Sequence, residues 1–487
     1  MQASRVLVLL LAVVALGRPG AQPPATASVT FVHLNDVYEI EPIEGGAYGG
    51  LARVATVVER LRRTSPPVVV TLGGDFLSPS AISWARVDGE PLAARQMVAV
   101  LNAVGLDWAT LGNHEFDLGE AVFRARMAEA RFRTVSSNVT GATGQPLAGL
   151  PTTGMVSVQA GGRTVRIGFM GLTLDMNRQD WIRYLPPVEA AKTSLETLRG
   201  RVDAIVALTH LTLAGDVALV EEVPEIDLVL GGHEHENWLA RRGPAFTPIV
   251  KADANARSVA VVTLTVGAAG ARPEVAARFE SLDASVPEDP RVQAEVRRWM
   301  TQGYEAFRRD GFDPDEVVAA IKAPLDGRAS TVRHRPGGLT DLILAALLRE
   351  TGADAAILNG GSIRIDDILP PGPVRQYDVM RVLPFGGKVV AATLDGKVLA
   401  AVLDAGVANA GSGGFLHHGR IAREGSAWMV NGAPLQTGRR YVVVMPEFLL
   451  TGGETRMAFL TKTNPGVRDV REFRDIRLTV IAELKSR

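Results

Sequence analysis

The stretch Val68-Val69-Val70-Thr71-Leu72-Gly73-Gly74-Asp75 decides how the fold is read. A short, β-branched apolar run is a buried strand, and two glycines followed by an acid make a tight turn at its carboxyl end. The same grammar recurs on both sides. Val29 to Leu34 runs into Asp36, Trp108 to Leu111 into Gly112-Asn113, Ala204 to Leu208 into His210, and Leu228 to Leu230 into Gly231-Gly232-His233. Thr134 to Ser137 and Val165 to Met170 are two further strands. Helical patterns fill the gaps, so the chain is α/β, with sheets covered by helices. Loops at the carboxyl ends of such strands are where α/β sheets place ligand sites, so Asp36, Asp75, Asn113, His210 and His233 can converge from distant parts of the sequence.

Composition narrows the chemistry. The chain has 487 residues, a formal net charge of −1 and no Cys. That length suits two large domains or three small ones, and its hydrophobicity excludes disorder. The balanced charge gives no field to draw in a nucleic acid polymer or an anionic membrane. Without Cys there are no disulfides, thiolate zinc sites, iron–sulfur clusters or cysteine nucleophiles, which leaves carboxylate, imidazole, amide, hydroxyl and guanidinium groups.

Arg5, the apolar run Val6 to Leu16 and the small, Pro-bearing stretch after it have the layout of a cleaved secretory signal, placed at residues 1–25. The run is too short for the roughly 20 residues a membrane span requires. The mature chain is expected to be periplasmic or secreted, with no membrane span and no obligate protein partner. Residues 28–284 form the expected catalytic domain. Residues 285–322 are a connector whose helix starts near Pro290, with Val292, Val296, Trp299 and Met300 at three- and four-residue spacing. Residues 323–485 form a second domain, opening with a helix from Leu339 to Glu350.

Four of the eight histidines, His114, His210, His233 and His235, fall in three short strand-end motifs. Taken singly, Asp36 and Asp75 are ordinary turn or capping residues and His210 an ordinary core histidine. Gly112-Asn113-His114-Glu115 is more specific, because it offers an amide oxygen and an imidazole on a sharply turning backbone. His233 and His235, two apart, point to the same side of an extended segment. Carboxylate, amide and imidazole donors without thiolate suit Mn²⁺, Zn²⁺, Fe or Co²⁺.

In this order, Asp, Gly-Asp, Gly-Asn-His-Glu, His and Gly-His-x-His resemble the ligand series of the calcineurin-like dinuclear metallophosphoesterases. Gly49-Gly50-Leu51-Ala52-Arg53, Gly112 to Asp117 and Ser137-Asn138-Val139 narrow the resemblance to the 5′-nucleotidase and UDP-sugar hydrolase family. It implies a calcineurin-like β-sandwich flanked by helices, followed by an α+β C-terminal substrate domain. It implies two divalent ions, Mn²⁺, Zn²⁺ or similar: the first held by Asp36, Asp75 and His235, the second by Asp75, Asn113, His210 and His233, with Asp75 as the bridge. It also implies that His114, oriented by Asp117, stands beside the phosphoryl group.

One departure stands out. Where the family has Asp-x-His, this chain has Asp36-Val37-Tyr38. Two readings stay open for Tyr38: it packs, with a water in the missing ligand's place, which its long reach and reluctance to deprotonate favour, or it binds a hard ion as a phenolate.

Beyond the connector, Asn359-Gly360-Gly361-Ser362-Ile363-Arg364 resembles the family's Asn-Gly-Gly-x-x-Arg motif. By that likeness Asn359, Arg364 and a second arginine, Arg333, meet the substrate, the arginines through their guanidinium forks. Phe415 and Phe448 match the rings that sandwich the nucleobase, and Glu454 stands where a shorter acid grips the ribose. The implied activity is hydrolysis of small-molecule nucleotide phosphate esters, of the 5′-nucleotidase type, by a dinuclear metal-bound hydroxide. The alternatives are a 2′,3′-cyclic-nucleotide phosphodiesterase with 3′-nucleotidase activity, a UDP-sugar pyrophosphatase, or a catalytically decayed nucleotide-binding protein.

Overall fold

The computed structural model describes residues 26–65, 67–268 and 270–487, so the secretory signal expected at 1–25 lies outside the described residues. Two six-stranded mixed sheets form the first domain. One runs in the spatial order Glu274–Ser281, Ser258–Val266, Ala27–Leu34, Val68–Gly73, Trp108–Thr110, Arg133–Val135. The other runs Thr153–Ala160, Arg163–Thr173, Ala204–His210, Leu228–Gly231, Thr247–Lys251, Trp238–Arg242. In each, the inner strands are parallel, as in the registers Val32↔Val70, Thr71↔Trp108, Thr173↔His210 and Val206↔Leu228. All seven strands read from the sequence are present.

Period-two alternation explains why the sheets stack. Val29 and Phe31 face the second sheet, where they join Trp108, Phe169, Val206 and Leu208 in one buried cluster. Val32 and Leu34, one residue out of phase, face the helices Leu51–Thr64 and Arg95–Val104. On the far side, Pro187–Leu198 and Leu213–Glu222 cover the second sheet. The result is a helix–sheet–sheet–helix sandwich. His33 continues the inward series and ties the layers together, its Nε2 lying 2.9 Å from Gly231 O and its Nδ1 3.0 Å from Thr71 Oγ1. Carboxyl ends of parallel strands from both sheets therefore open onto the same edge.

The helix Pro290–Arg309 begins where Pro at its first turn and a capping Asp should start one: Asp289 accepts from the N–H groups of Arg291 and Val292. It buries Val292, Val296, Trp299 and Met300 against the first domain, so it forms a wall of that domain before the chain crosses over. The second domain is α+β. Its five-stranded sheet has the order Leu416–Gly419, Ala355–Asn359, Arg440–Pro446, Lys388–Asp395, Val467–Asp475. Gly396–Ala408 covers one face, while Gly338–Thr351 and Ile476–Lys485 cover the other.

Candidate metal centre and active site

Glycine makes room for the strand-end loops to meet. Gly74 has φ +84°, and a Cβ there would lie 2.6 Å from Gly112 N and 2.8 Å from His210 Nδ1; at Gly112 it would lie 2.1 Å from Asp75 Oδ1. Asp36, Asp75, His233 and His235 are all held at positive φ, between 52° and 87°. Such backbone costs about 1–3 kcal/mol per residue and persists only where the surroundings enforce it. Here the loops lock each other: Asp36 N donates to Gly74 O and Val37 N to Asp75 O.

The side chains then converge. Asp36 Oδ2 is taken up by Asn35 Nδ2 at 2.7 Å and His233 N at 2.8 Å, which leaves Oδ1 facing His235 Nε2 at 3.0 Å. Asp75 Oδ1 accepts from His114 N at 2.8 Å, and its Oδ2 lies 3.2 Å from His210 Nε2. His210 Nδ1 donates to Gly73 O at 2.7 Å, which fixes the tautomer and turns Nε2 inward. The His233 ring centre is 5.3 Å from that of His210.

Charge is arranged as a cation site requires. Burial would raise Asp36 and Asp75, but His235 and His210 hold Asp36 well below the usual carboxylate range, and His210 and His114 hold Asp75 at about 2. Burial would lower His210, yet Asp75 and Asp36 lift it to about 10, so in the metal-free site its proton supplies the positive charge. His233, pushed down to about 3 by burial and by His210, is a neutral imidazole. Asn113 Oδ1 is buried without a hydrogen bond, a state that buried polar atoms seldom tolerate. Carboxylate, amide oxygen and imidazole are the donors that Mn²⁺, Zn²⁺ and similar ions take, and Asp36, Asp75 and His210 present theirs within 4.8 Å of one another. The residues present fit divalent metal ions.

Tyr38 stands among these donors. Its ring is buried, but its hydroxyl does not pack away: it lies 3.3 Å from Asp36 Oδ1, 3.4 Å from Asp75 Oδ2 and 3.1 Å from His235 Nε2. The extra reach of the phenol places the oxygen among the donors. Burial and the two carboxylates hold it protonated in the metal-free site.

Beside this cluster, His114 Nδ1 lies 2.8 Å from Asp117 Oδ2, and Asn177 Nδ2 donates to Asp117 Oδ1 at 2.8 Å. Arg364 crosses from the second domain to bring Nη2 within 2.9 Å of His114 Nε2, while its Nε is buried without a partner. Arg333 stands close enough that burial and the charge of Arg364 together lower its basicity. A guanidinium at the rim of the donor cluster, with a second near enough to feel its charge, favours an anion there. Asn359 Nδ2 donates to Glu454 Oε2 at 2.8 Å, so those two expected substrate residues are in direct contact. Phe448 is half-exposed, with its ring edge over Gly453, and Phe415 is partly buried against the edge of His417.

Several groups escaped the sequence reading. Glu115 accepts four backbone N–H groups, from Asp75, Phe76, Leu77 and Gly112, so it clamps two of the ligand loops together. Burial and Asp75 push its carboxyl up to about 7. Lys251 is fully buried beneath the Gly231 to His235 loop and bonds Asp216, Glu234, Leu211 O and Gly232 O. The one signal for it was a Lys ending the apolar strand Thr247–Lys251. Asn177 and Asp366, on irregular loops, carried no signal.

A family model described as calcineurin-like phosphoesterase matches residues 29–237, and one described as 5′-nucleotidase, C-terminal domain, matches residues 317–461. The chain is 27% identical to a 5′-nucleotidase of Bos taurus, covering 91% of this chain and 86% of that one. It is 24% identical to Protein UshA of Yersinia enterocolitica, over 88% and 86%. The fold matches the crystal structure of a 5′-nucleotidase precursor from Thermus thermophilus, with a TM-score of 0.76, 24% identity and coverage of 94% and 96%.

Proposed function

From a chain that belongs to the 5′-nucleotidase family and is a hydrolase of phosphoric esters, we propose the hydrolysis of nucleoside 5′-phosphates to nucleoside and inorganic phosphate. The observation that carries it is Arg364: a guanidinium of the second domain stands 2.9 Å from His114 Nε2, at the rim of a buried Asp, His and Asn donor cluster. Binding and chemistry therefore come from different domains and meet at one point.

Asp36, Asp75 and His235 would hold one divalent ion, and Asp75, Asn113, His210 and His233 the other. Ions held there would supply Lewis-acid stabilisation of phosphoryl oxygens and would acidify water. The chain's own residues supply the rest. Arg364 and Arg333 receive the phosphoryl oxygens, with the forked geometry that suits them to it. His114 presents Nε2 towards the leaving oxygen, while Asp117 holds Nδ1 and Asn177 fixes Asp117, the arrangement of a general acid with an orienting carboxylate. Phe415 and Phe448 stack on the base, a contact tolerant of base identity. Asn359 holds Glu454, which reaches the ribose hydroxyls.

The domain division at 28–284, 285–322 and 323–485 goes with this reading, as does export by the leader at 1–25 to the periplasm or beyond. Among the described residues no helix is long and apolar enough to cross a membrane. The test is product release, followed by chromatography with Mn²⁺, Zn²⁺ or EDTA: nucleoside and phosphate from AMP and 3′-AMP, UMP and glucose 1-phosphate from UDP-glucose, and 3′-AMP from 2′,3′-cyclic AMP. Metal-dependent release from AMP is expected. Release from cyclic or sugar diesters alone would overturn the 5′-nucleotidase reading.

A further inference from the structure

The segment Ile363 to Asp367 of the second domain lies against the first with strict alternation. Ile363 and Ile365 turn inward and are buried in the apolar core. Arg364 and Asp366 instead reach the first domain. Arg364 reaches His114, and Asp366 Oδ2 lies against His235 Nδ1. Asp367, next in the chain, pairs with Arg257 of the first domain. Asp366 is held at φ +42°, a region that residues other than glycine seldom adopt, and its Oδ1 accepts from Ala329 N. Its Oδ2 is buried and receives no hydrogen bond, so His235 is what it faces.

His235 is therefore addressed on both nitrogens. Nε2 faces Asp36 Oδ1 at 3.0 Å and the Tyr38 hydroxyl at 3.1 Å, on the side where the first ion would lie. Nδ1 faces a carboxylate. A metal-ligating imidazole commonly donates its remote N–H to a carboxylate, which fixes the tautomer, orients the ring and makes the ligating nitrogen more basic. Here that carboxylate belongs to the other domain.

We propose that Asp366 is a positioning residue that completes the first metal site across the domain boundary, so that occupancy of that site and apposition of the two domains are linked. The inference rests on the reading of Asp36, Asp75 and His235 as ligands. Linkage is reciprocal: whatever factor apposition adds to the ion's affinity, the ion adds to apposition. The second site has no such dependence, because its ligands are anchored within the first domain, His210 on Gly73 O and Asp75 on His114 N.

The experiment is a chelator-competition titration of the metal-free full chain with Mn²⁺ for the wild type, Asp366→Asn and Asp366→Ala, with domain separation followed by solution scattering. Asp366→Asn is close to isosteric, and Asp366→Ala removes the group altogether. Two ions are expected to bind the wild type. One is expected to weaken by about 10- to 100-fold in both variants, the range typical of lost outer-shell partners, while the other stays unchanged. Saturating Mn²⁺ should contract the wild type and contract the variants less. If the wild type binds two ions and both variants bind them with wild-type constants, Asp366 is a packing residue and the proposal is overturned. A wild type that binds no ion would overturn the metal centre itself and this inference with it.

Discussion

Replacing Lys251 by Met tests how the loop of His233 and His235 is held. Lys251 is fully buried, and its ammonium bonds Asp216 Oδ2 at 2.8 Å, Leu211 O at 2.7 Å, Gly232 O at 2.8 Å and the Glu234 carboxylate. Met matches the stem in length and apolar character, so the loss is electrostatic: two carbonyls and two carboxylates are left without their cation. Breaking one side of a buried ion pair costs about 3–5 kcal/mol. At about 2–4 °C per kcal/mol for a domain of this size, the melting temperature should fall by about 6–20 °C. The pH dependence has a definite sign. Burial already raises Asp216 to about 6 despite Lys251 beside it, so its ionised form costs stability above the unfolded value near 3.8. Without Lys251 the folded value rises further, and the cost continues to grow at higher pH. The variant's deficit should therefore be larger at pH 8 than at pH 5, by scanning calorimetry of metal-free protein. Adding Asp216→Asn and Glu234→Gln removes the stranded charges and should recover part of the loss. A drop below about 3 °C, or a deficit that does not grow with pH, would refute the view of Lys251 as the keystone of that loop.

Changing Phe448 or Phe415 to Ala should raise KM for AMP by about 5- to 100-fold, the worth of about 1–3 kcal/mol of stacking, and leave p-nitrophenyl phosphate hydrolysis nearly unchanged. Equal losses on both substrates would contradict the stacking role. Arg364→Lys keeps the charge but loses the fork, so KM for AMP should rise by at least tenfold while bound metal, counted by atomic emission, stays at the wild-type level. Glu115→Gln exchanges an acceptor of four backbone N–H groups for an amide with one oxygen. Lower metal affinity and a melting temperature reduced by several degrees are expected, and an unaltered Mn²⁺ titration would show that the loops hold without it. Tyr38→Phe removes the one hydroxyl that faces Asp36, Asp75 and His235, and should change Mn²⁺ affinity measurably by calorimetry. An unchanged isotherm would return Tyr38 to a packing role.

What the sequence made legible, it made legible locally. Asp75 follows Val68–Gly73 and His210 ends Ala204–His210, so each motif carries both its residue and the strand that aims it. Once two sheets stack with their parallel strands opening on one edge, the convergence follows. The helix Pro290–Arg309 was equally plain, because its spacing and its proline lie in one window. What was not legible depends on register between distant segments. Asp366 meets His235 only because Ile363 and Ile365 face their own core, and nothing within a few residues of Asp366 encodes which domain surface lies opposite. Lys251 finds Asp216 and Glu234 through the parallel pairing of Leu228–Gly231 with Thr247–Lys251, a relation invisible until the sheet is assembled. The place of the Tyr38 hydroxyl, beside Asp36, Asp75 and His235, likewise depends on segments far apart in the chain.

The distribution of strain and support explains why this chain needs two domains for one reaction. The candidate donors sit on backbone at positive φ at four positions, each costing about 1–3 kcal/mol, so something must enforce them. Within the first domain Glu115 clamps the Asp75 and Gly112 loops, and Lys251 clamps the loop of His233 and His235 from below. Both clamps act on backbone and on buried charge, and neither touches the reacting face. The second domain adds Arg364 and Asp366 from one short segment, one beside His114 and one beside His235. The alternation Ile363, Arg364, Ile365, Asp366 is the smallest piece of sequence able to do both tasks at once.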